Sequence, residues 1–432
     1  MRRKGFSPSL PLSGFAAMIL VATLTSSFAF SQTEFVIHNF KSGDDGAEPN
    51  ATLLADKAGN LYGTTTLGGG SASCGLRHGA PEGCGTVFEV TPPAAGGHWT
   101  EKILYAFAGP VDGLQPVGGL AFDEAGDLYG TTVTGGSGGA GTVFQLKPPA
   151  SGGAWTFSVI HNLTFSNNGY AVYPVVDKLG DVYFEEPAGG SGLGAVSQLT
   201  PPAAEGGAWT YRQLYVFKGQ PDGLLPIGTL NFDKAGNLYG ITDGGGSANH
   251  GTVFELVRPA TRSGTWTEKV LYAFQGIPDG AAPYSGVIID TAGNLYGTTV
   301  DGGVNNPAFD GDGTVFELSP PSETGGAWTE AVLYSFQGAT DGKLPYAPLV
   351  RDNDGNLFGT TITNTVFELS PPTEAGGSWT ETTLFDFPSP AHDGGSEFFG
   401  GLTFHLPSRS TLYGATPAGG SADDGVIFGL VP

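Results

Sequence analysis

Positive charge is scarce in this chain: 18 Lys and Arg stand against 41 Asp and Glu, a formal net charge of −23 at pH 7. Such a surface repels phosphate, which argues against nucleic acid and anionic membranes as partners and leaves metal ions or cationic surfaces open. Cysteine is nearly absent too, with only Cys74 and Cys84. With His78 as the one further ligand nearby, they fall short of a zinc site. In an oxidising compartment they are expected to form one disulfide that pins a single Gly-rich loop. The apolar stretch GFAAMILVATL, residues 14–24, is too short for a comfortable membrane span, so no transmembrane segment is expected in the mature chain.

Glycine, by contrast, supplies 72 of 432 residues and Pro 31, while charged residues are only 14%. Long helices are therefore not expected, and many short strands joined by turns are favoured. The apolar share of 39% still suffices for a core. At the N-terminus, Arg2, Arg3 and Lys4 precede the apolar stretch, and Ala29-Phe30-Ser31 forms a small-residue cleavage site. Residues 1–31 thus read as a signal peptide and 32–432 as one domain. No Cys stands near that site, which argues against lipoprotein processing. Losing the three basic residues would take the formal charge from −23 to −26. The expected address is secreted, extracellular or cell-surface, with the periplasm as the other compartment.

Self-similarity dominates the chain. The segment GTVFEL or a variant starts at Gly85, Gly141, Gly194, Gly251, Gly313, Asn364 and Gly425. DKAGNLYGTT, residues 56–65, returns at Asp123, Asp177, Asp233, Asp290 and Asp352, and in altered form as STLYGAT at 410–416. WTEKVLYAF and its relatives begin at Trp99, Trp155, Trp209, Trp266, Trp328 and Trp379, one copy fewer than the others. The missing copy is TEFVIHNF, residues 33–40, at the opposite end of the chain. Each unit then has four β-like runs, and joining the termini completes seven sets of four. That arithmetic is what a closed ring needs: an all-β, seven-bladed β-propeller whose last blade is completed by strand 33–40. An open solenoid would gain nothing from the split and would want polar caps instead. The repeat is about 58 residues, the mean spacing of the Asp-Gly pairs from Asp45 to Asp393.

The pattern AGNLYGTT…GG…GTVFEL.PP…GG.WTE..LY.F.G..DG resembles the Gloeo/Verruco (GloVer) tandem repeat of secreted bacterial proteins, over nearly all of 33–432. The resemblance implies an exported protein of unassigned activity and brings no catalytic residues to carry over.

Within such a blade, the DKAGN segments are first-to-second-strand turns, with Asp accepting backbone N–H bonds and Gly59 taking φ > 0. DNDGN at 352–356 begins like a calcium loop but lacks the bidentate Glu and the flanking helices, so turn chemistry is preferred to calcium and no cofactor is expected. The inter-blade Asp-Gly pairs at Asp45, Asp112, Asp222, Asp279, Asp341 and Asp393, with Asn168 standing in once, are expected to ring the channel mouth. They share that face with loops of variable length, such as 67–84 and 301–313, where binding usually sits. These aspartates are the candidate ligand-binding residues, for a cation or a polyhydroxylated ligand, against the plainer reading of good turns. The Trp residues are expected to pack rather than to stack sugars. Glu185 and Glu186 replace Thr-Thr in the third unit. As strand neighbours they face opposite sides and cannot jointly flank one bond.

No Gly-x-Ser-x-Gly elbow, His-Glu-x-x-His or phosphate loop occurs. The leading expectation is a monomeric, non-enzymatic binding module whose partner is an extracellular protein or envelope glycan. An enzyme acting on extracellular polysaccharide and a structural surface component are the alternatives.

Overall fold

Four short runs per repeat fold into one antiparallel sheet because both sides of each run are apolar enough to be covered. In the first repeat, Leu54–Ala55, Leu61–Thr65, Thr86–Thr91 and Thr100–Ala106 pair in that order. We call this blade 1. The computed structural model describes residues 33–432 apart from 78–79, 95–96, 166–170, 205, 307–310, 324, 339–340, 375, 388–399 and 405–409. The same order recurs in six further sheets, blades 2 to 7, whose first strands contain Phe122, Val176, Phe232, Ile289, Arg351 and Phe404; in blades 4 and 5 a fifth strand, Gly223–Pro226 or Gly280–Pro283, also pairs with the second. Among the described residues the one helical element is a 3-10 turn at Ala72–Cys74, and no helix is long and apolar enough to cross a membrane.

Blade 7 closes the ring. Its first three strands, Thr403–Phe404, Leu412–Thr416 and Val426–Val431, come from the C-terminal end, and the fourth is Thr33–Asn39. The register is that of every other blade, down to one irregularity. In blade 1, Val87 opposes Tyr105 and Phe88 opposes Ile103, so Leu104 is an extra residue on the outer strand. In blade 7, Ile427 opposes His38 and Phe428 opposes Val36, leaving Ile37 extra. The same bulge stands between the third and fourth strands of the remaining five blades. A bulge of this kind adds local twist, and its repetition identifies 33–39 as the seventh outer strand.

Packing lies between blades. Among the described residues the hydrophobic core divides into seven clusters, one at each junction, including blade 7 to blade 1, where Phe40, Tyr413 and Ile427 meet Leu53, Leu61 and Phe88. The glycine of LYG is dictated by the third strand. A Cβ on Gly130 would stand 2.2 Å from Cζ of Phe144, the residue it opposes. Blade 3 reverses this pair: Phe184 occupies the glycine position and opposes Ser197, where the other blades carry Phe. Large and small have changed places, so the core stays filled.

The Trp residues serve the same packing. Trp99, Trp155, Trp209 and Trp266 meet Tyr413, Tyr62, Tyr129 and Tyr183 of the preceding blade edge-on, at centroid distances of 5.7, 6.4, 6.0 and 6.0 Å. Cys74 and Cys84 are disulfide-bonded and pin the second-to-third loop of blade 1.

Candidate functional site

The turns between first and second strands are built by one carboxylate. Asp56 Oδ1 accepts the N–H groups of Ala58 and Asn60 at 2.8 and 2.9 Å, and Oδ2 accepts Asn60 Nδ2 and the Tyr62 hydroxyl. Asp123, Asp177, Asp233, Asp290 and Asp352 repeat the two N–H bonds. Gly59 sits at φ 88°, which a residue with a Cβ rarely adopts. The DNDGN carboxylate of Asp352 is thus engaged in its turn.

Where these turns gather, the ring holds a cavity of about 1120 Å³. It is walled by first strands and turns from five blades: 54–55, 232–235, 288–293, 349–353 and 403–404. The walls are largely apolar, with Leu54, Phe232, Ile288 and Val350, while Lys234 and Asn353 are exposed turn residues at the rim. Arg351 also lines it, its guanidinium 5.7 Å from the Tyr296 ring centre. The lining carboxylates Asp233, Asp290 and Asp352 are those tied into turns.

The inter-blade aspartates lie elsewhere. Four of them are bound to the outermost strand of the preceding blade by the tyrosine seven residues earlier. Tyr105, Tyr215, Tyr272 and Tyr334 donate their hydroxyls to Asp112, Asp222, Asp279 and Asp341 at 2.6, 2.9, 2.9 and 2.7 Å. Backbone N–H groups of the loop complete the turns, for example Lys218 and Gly223 on Asp222. Burial and the facing carboxylate push these tyrosines above their ordinary range. Asp45 has His38 instead, with Nε2 at 3.4 Å. Asp393 and Asn168 lie outside the described residues. Each described aspartate thus stands at its own blade junction, tied to a residue of an outer strand.

A glutamate on the next blade's outer strand approaches several of them. Burial, then the charge of Asp45, Asp222 or Asp279, raises Glu101, Glu268 and Glu330 to about 7, although His38 and Lys218 pull Glu101 and Glu268 back. Each has an Oε1 that is buried and accepts no hydrogen bond among the described residues. In blade 3 the two acidic neighbours part as strand alternation requires. Glu186 accepts bonds from Tyr211 and Gln213. Glu185, at 0% exposure, sits against blade 4, where a Cβ on Gly240 would stand 3.0 Å from its Oε1. Neither Glu185 oxygen has a hydrogen-bond partner among the described residues, and desolvation holds its carboxyl well above the ordinary range.

The sequence signal for the junction network was the fixed seven-residue spacing between Tyr and Asp. The cavity lining, drawn from five distant repeats, had no comparable local signal.

The Gloeobacter/Verrucomicrobia repeat matches residues 70–306 and 258–432. No curated protein sequence matches the chain. Solved structures similar to it include a gluconolactonase from Xanthomonas campestris, at 15% identity and TM-score 0.40, over 73% of this chain and 85% of that one. Another is a protein of unknown function from Dyadobacter fermentans, at 13% identity and TM-score 0.42, over 81% of this chain and 97% of that one. At such identities and scores neither bears on activity.

Proposed function

The chain belongs to the Gloeobacter/Verrucomicrobia repeat family, and from that premise we propose that it is a secreted propeller that binds an extracellular glycan without turning it over. The axial cavity on the turn face carries this reading. Its volume, about 1120 Å³, and its mix of apolar wall and polar rim are those of a site for a small ligand or a chain segment. Phe232 and Ile288 offer apolar surface to the faces of sugar rings, and Lys234, Asn353 and the Thr403 hydroxyl offer polar groups to their oxygens. A protein partner would instead want a broad complementary patch of roughly 800 Å² on each side. A polysaccharide-acting enzyme would need an acid and a base at the cavity. The three aspartates there are engaged in turns.

Calorimetry of the purified protein against envelope and matrix oligosaccharides tests the proposal, with product analysis after prolonged incubation. Ala292→Trp narrows the rim at an exposed turn position and keeps the N–H that Asp290 accepts. The expected result is binding of an oligosaccharide that stays intact, weakened about tenfold or more in Ala292→Trp at unchanged melting temperature, on the order of 1.4 kcal/mol. Binding indifferent to that substitution, shortened sugar, or no binding to any oligosaccharide would overturn the reading.

A further inference from the structure

Three outer strands carry something other than tyrosine at the junction register: His161 in blade 2, Phe385 in blade 6 and His38 in blade 7, and of these His38 is the one that meets an inter-blade aspartate among the described residues. At four junctions the inter-blade aspartate is capped by a tyrosine hydroxyl. At the junction that closes the ring, the residue in register with those tyrosines is His38. A phenol with its pKa raised is a donor and a poor cation ligand at neutral pH, whereas a neutral imidazole offers a nitrogen lone pair. His38, Asp45 and Glu101 each present a ligand atom, and the three atoms lie within 4.8 Å of one another. Asp45 Oδ1 accepts the Gly46 N–H at 2.9 Å, while the His38–Asp45 contact, 3.4 Å from Nε2 to Oδ1, is long for a hydrogen bond and leaves the imidazole nitrogen loosely held. Glu101 has a buried Oε1 that accepts no hydrogen bond among the described residues, an orphan acceptor in a group otherwise rich in acceptors. The His38 ring is steadied by edge-on contact with the fully buried Phe40 at 4.6 Å.

We propose that His38, Asp45 and Glu101 bind one divalent transition-metal ion of the zinc class, which staples the N-terminal strand of blade 7 to the outer strand of blade 1. One imidazole nitrogen and two carboxylate oxygens form the three-protein-ligand set of an open zinc site, with a water completing the tetrahedron. Ligands about 2.0–2.1 Å from such a metal stand roughly 3.3 Å from one another, so a contraction of up to about 1.5 Å within side-chain reach assembles the site. Two carboxylates and a neutral imidazole carry charge −2, which the ion cancels. The nitrogen ligand favours Zn²⁺, Ni²⁺ or Co²⁺ over the hard Ca²⁺ and Mg²⁺. The three ligands come from the N-terminal strand, the loop that follows it and blade 1. The ion thus anchors to blade 1 the N-terminal strand whose pairing with Val426–Val431 closes the ring.

Chelator-stripped protein is titrated with ZnCl₂ by calorimetry and by thermal melting, with CaCl₂ as the second cation and Co²⁺ absorption as a spectroscopic probe. Wild type is compared with Glu101→Gln and with His38→Tyr, which installs the residue found at four sister junctions. The expected result is one Zn²⁺ per chain, a rise in melting temperature of several degrees, a weaker response to Ca²⁺, and tetrahedral Co²⁺ bands. Both variants should bind Zn²⁺ at least tenfold more weakly, while His38→Tyr melts without metal at or above the wild-type temperature. No Zn²⁺ response in wild type, or a response that survives both substitutions, would overturn the proposal.

Discussion

Replacing Glu185 with Thr should stabilise the protein, by an amount that grows with pH. The residue stands where blades 1, 2, 5 and 6 carry Thr64, Thr131, Thr298 and Thr360, and it is completely buried without a hydrogen-bond partner among the described residues. An unsatisfied neutral polar group of this kind costs about 1–3 kcal/mol. Thr removes two heavy atoms and leaves a small void, returning about 1 kcal/mol of that gain. The ionic term adds to it. Desolvation raises the folded-state pKa well above 4.5, so the folded protein holds a proton that the unfolded chain releases. Stability from this group is therefore complete below the unfolded pKa and is lost as pH rises toward the folded one, at up to about 1.4 kcal/mol per pH unit. Glu185→Thr should melt about 2–3 °C above wild type near neutral pH, and the difference should be smaller at pH 5 than at pH 8. Trp fluorescence melts at the three pH values measure this. A variant that melts lower than wild type, or a difference that does not change with pH, would refute the reasoning.

The junction glutamates should show the same sign. Glu268 and Glu330, raised from 4.5 to about 7, favour the folded state below the unfolded pKa and lose that contribution as pH passes 7. They are partly exposed, and after screening each contributes about 1 kcal/mol. Glu268→Gln/Glu330→Gln should thus flatten the fall in melting temperature between pH 5 and 8, and an unchanged slope would count against it. Deleting residues 33–40 strips blade 7 of its outer strand and the core of Phe35, Ile37 and Phe40, on the order of 5 kcal/mol of apolar burial before any strand pairing is counted. Loss of cooperative melting is expected, and an unaltered melt would contradict the closed ring.

Much of the architecture was legible because repetition turns single residues into counts. Six Trp elements against seven GTVFEL segments located the missing strand at residues 33–40, where the structure has it, in register with Val426–Val431. The turn aspartates were legible because their partners lie two and four residues away. The inter-blade aspartates were harder to place, since position between blades says nothing about which way a loop carboxylate reaches. The answer was in the tyrosine seven residues earlier, a contact across the loop rather than along it. Glu185 and Glu186 were correctly assigned to opposite faces. That both faces are buried follows from a blade being sandwiched by neighbours, so an irregular pair cannot escape to solvent. The Phe184–Ser197 exchange, which reads as drift in the sequence, is a compensated swap that only strand pairing reveals.

The functional account is tested most directly by a crystal structure of the protein with the tightest-binding oligosaccharide. The account predicts density for the sugar in the axial cavity, against Phe232 and Ile288 and within reach of Lys234 and Asn353. Sugar density among the loops at 67–84 and 301–313, with the cavity empty, would contradict it.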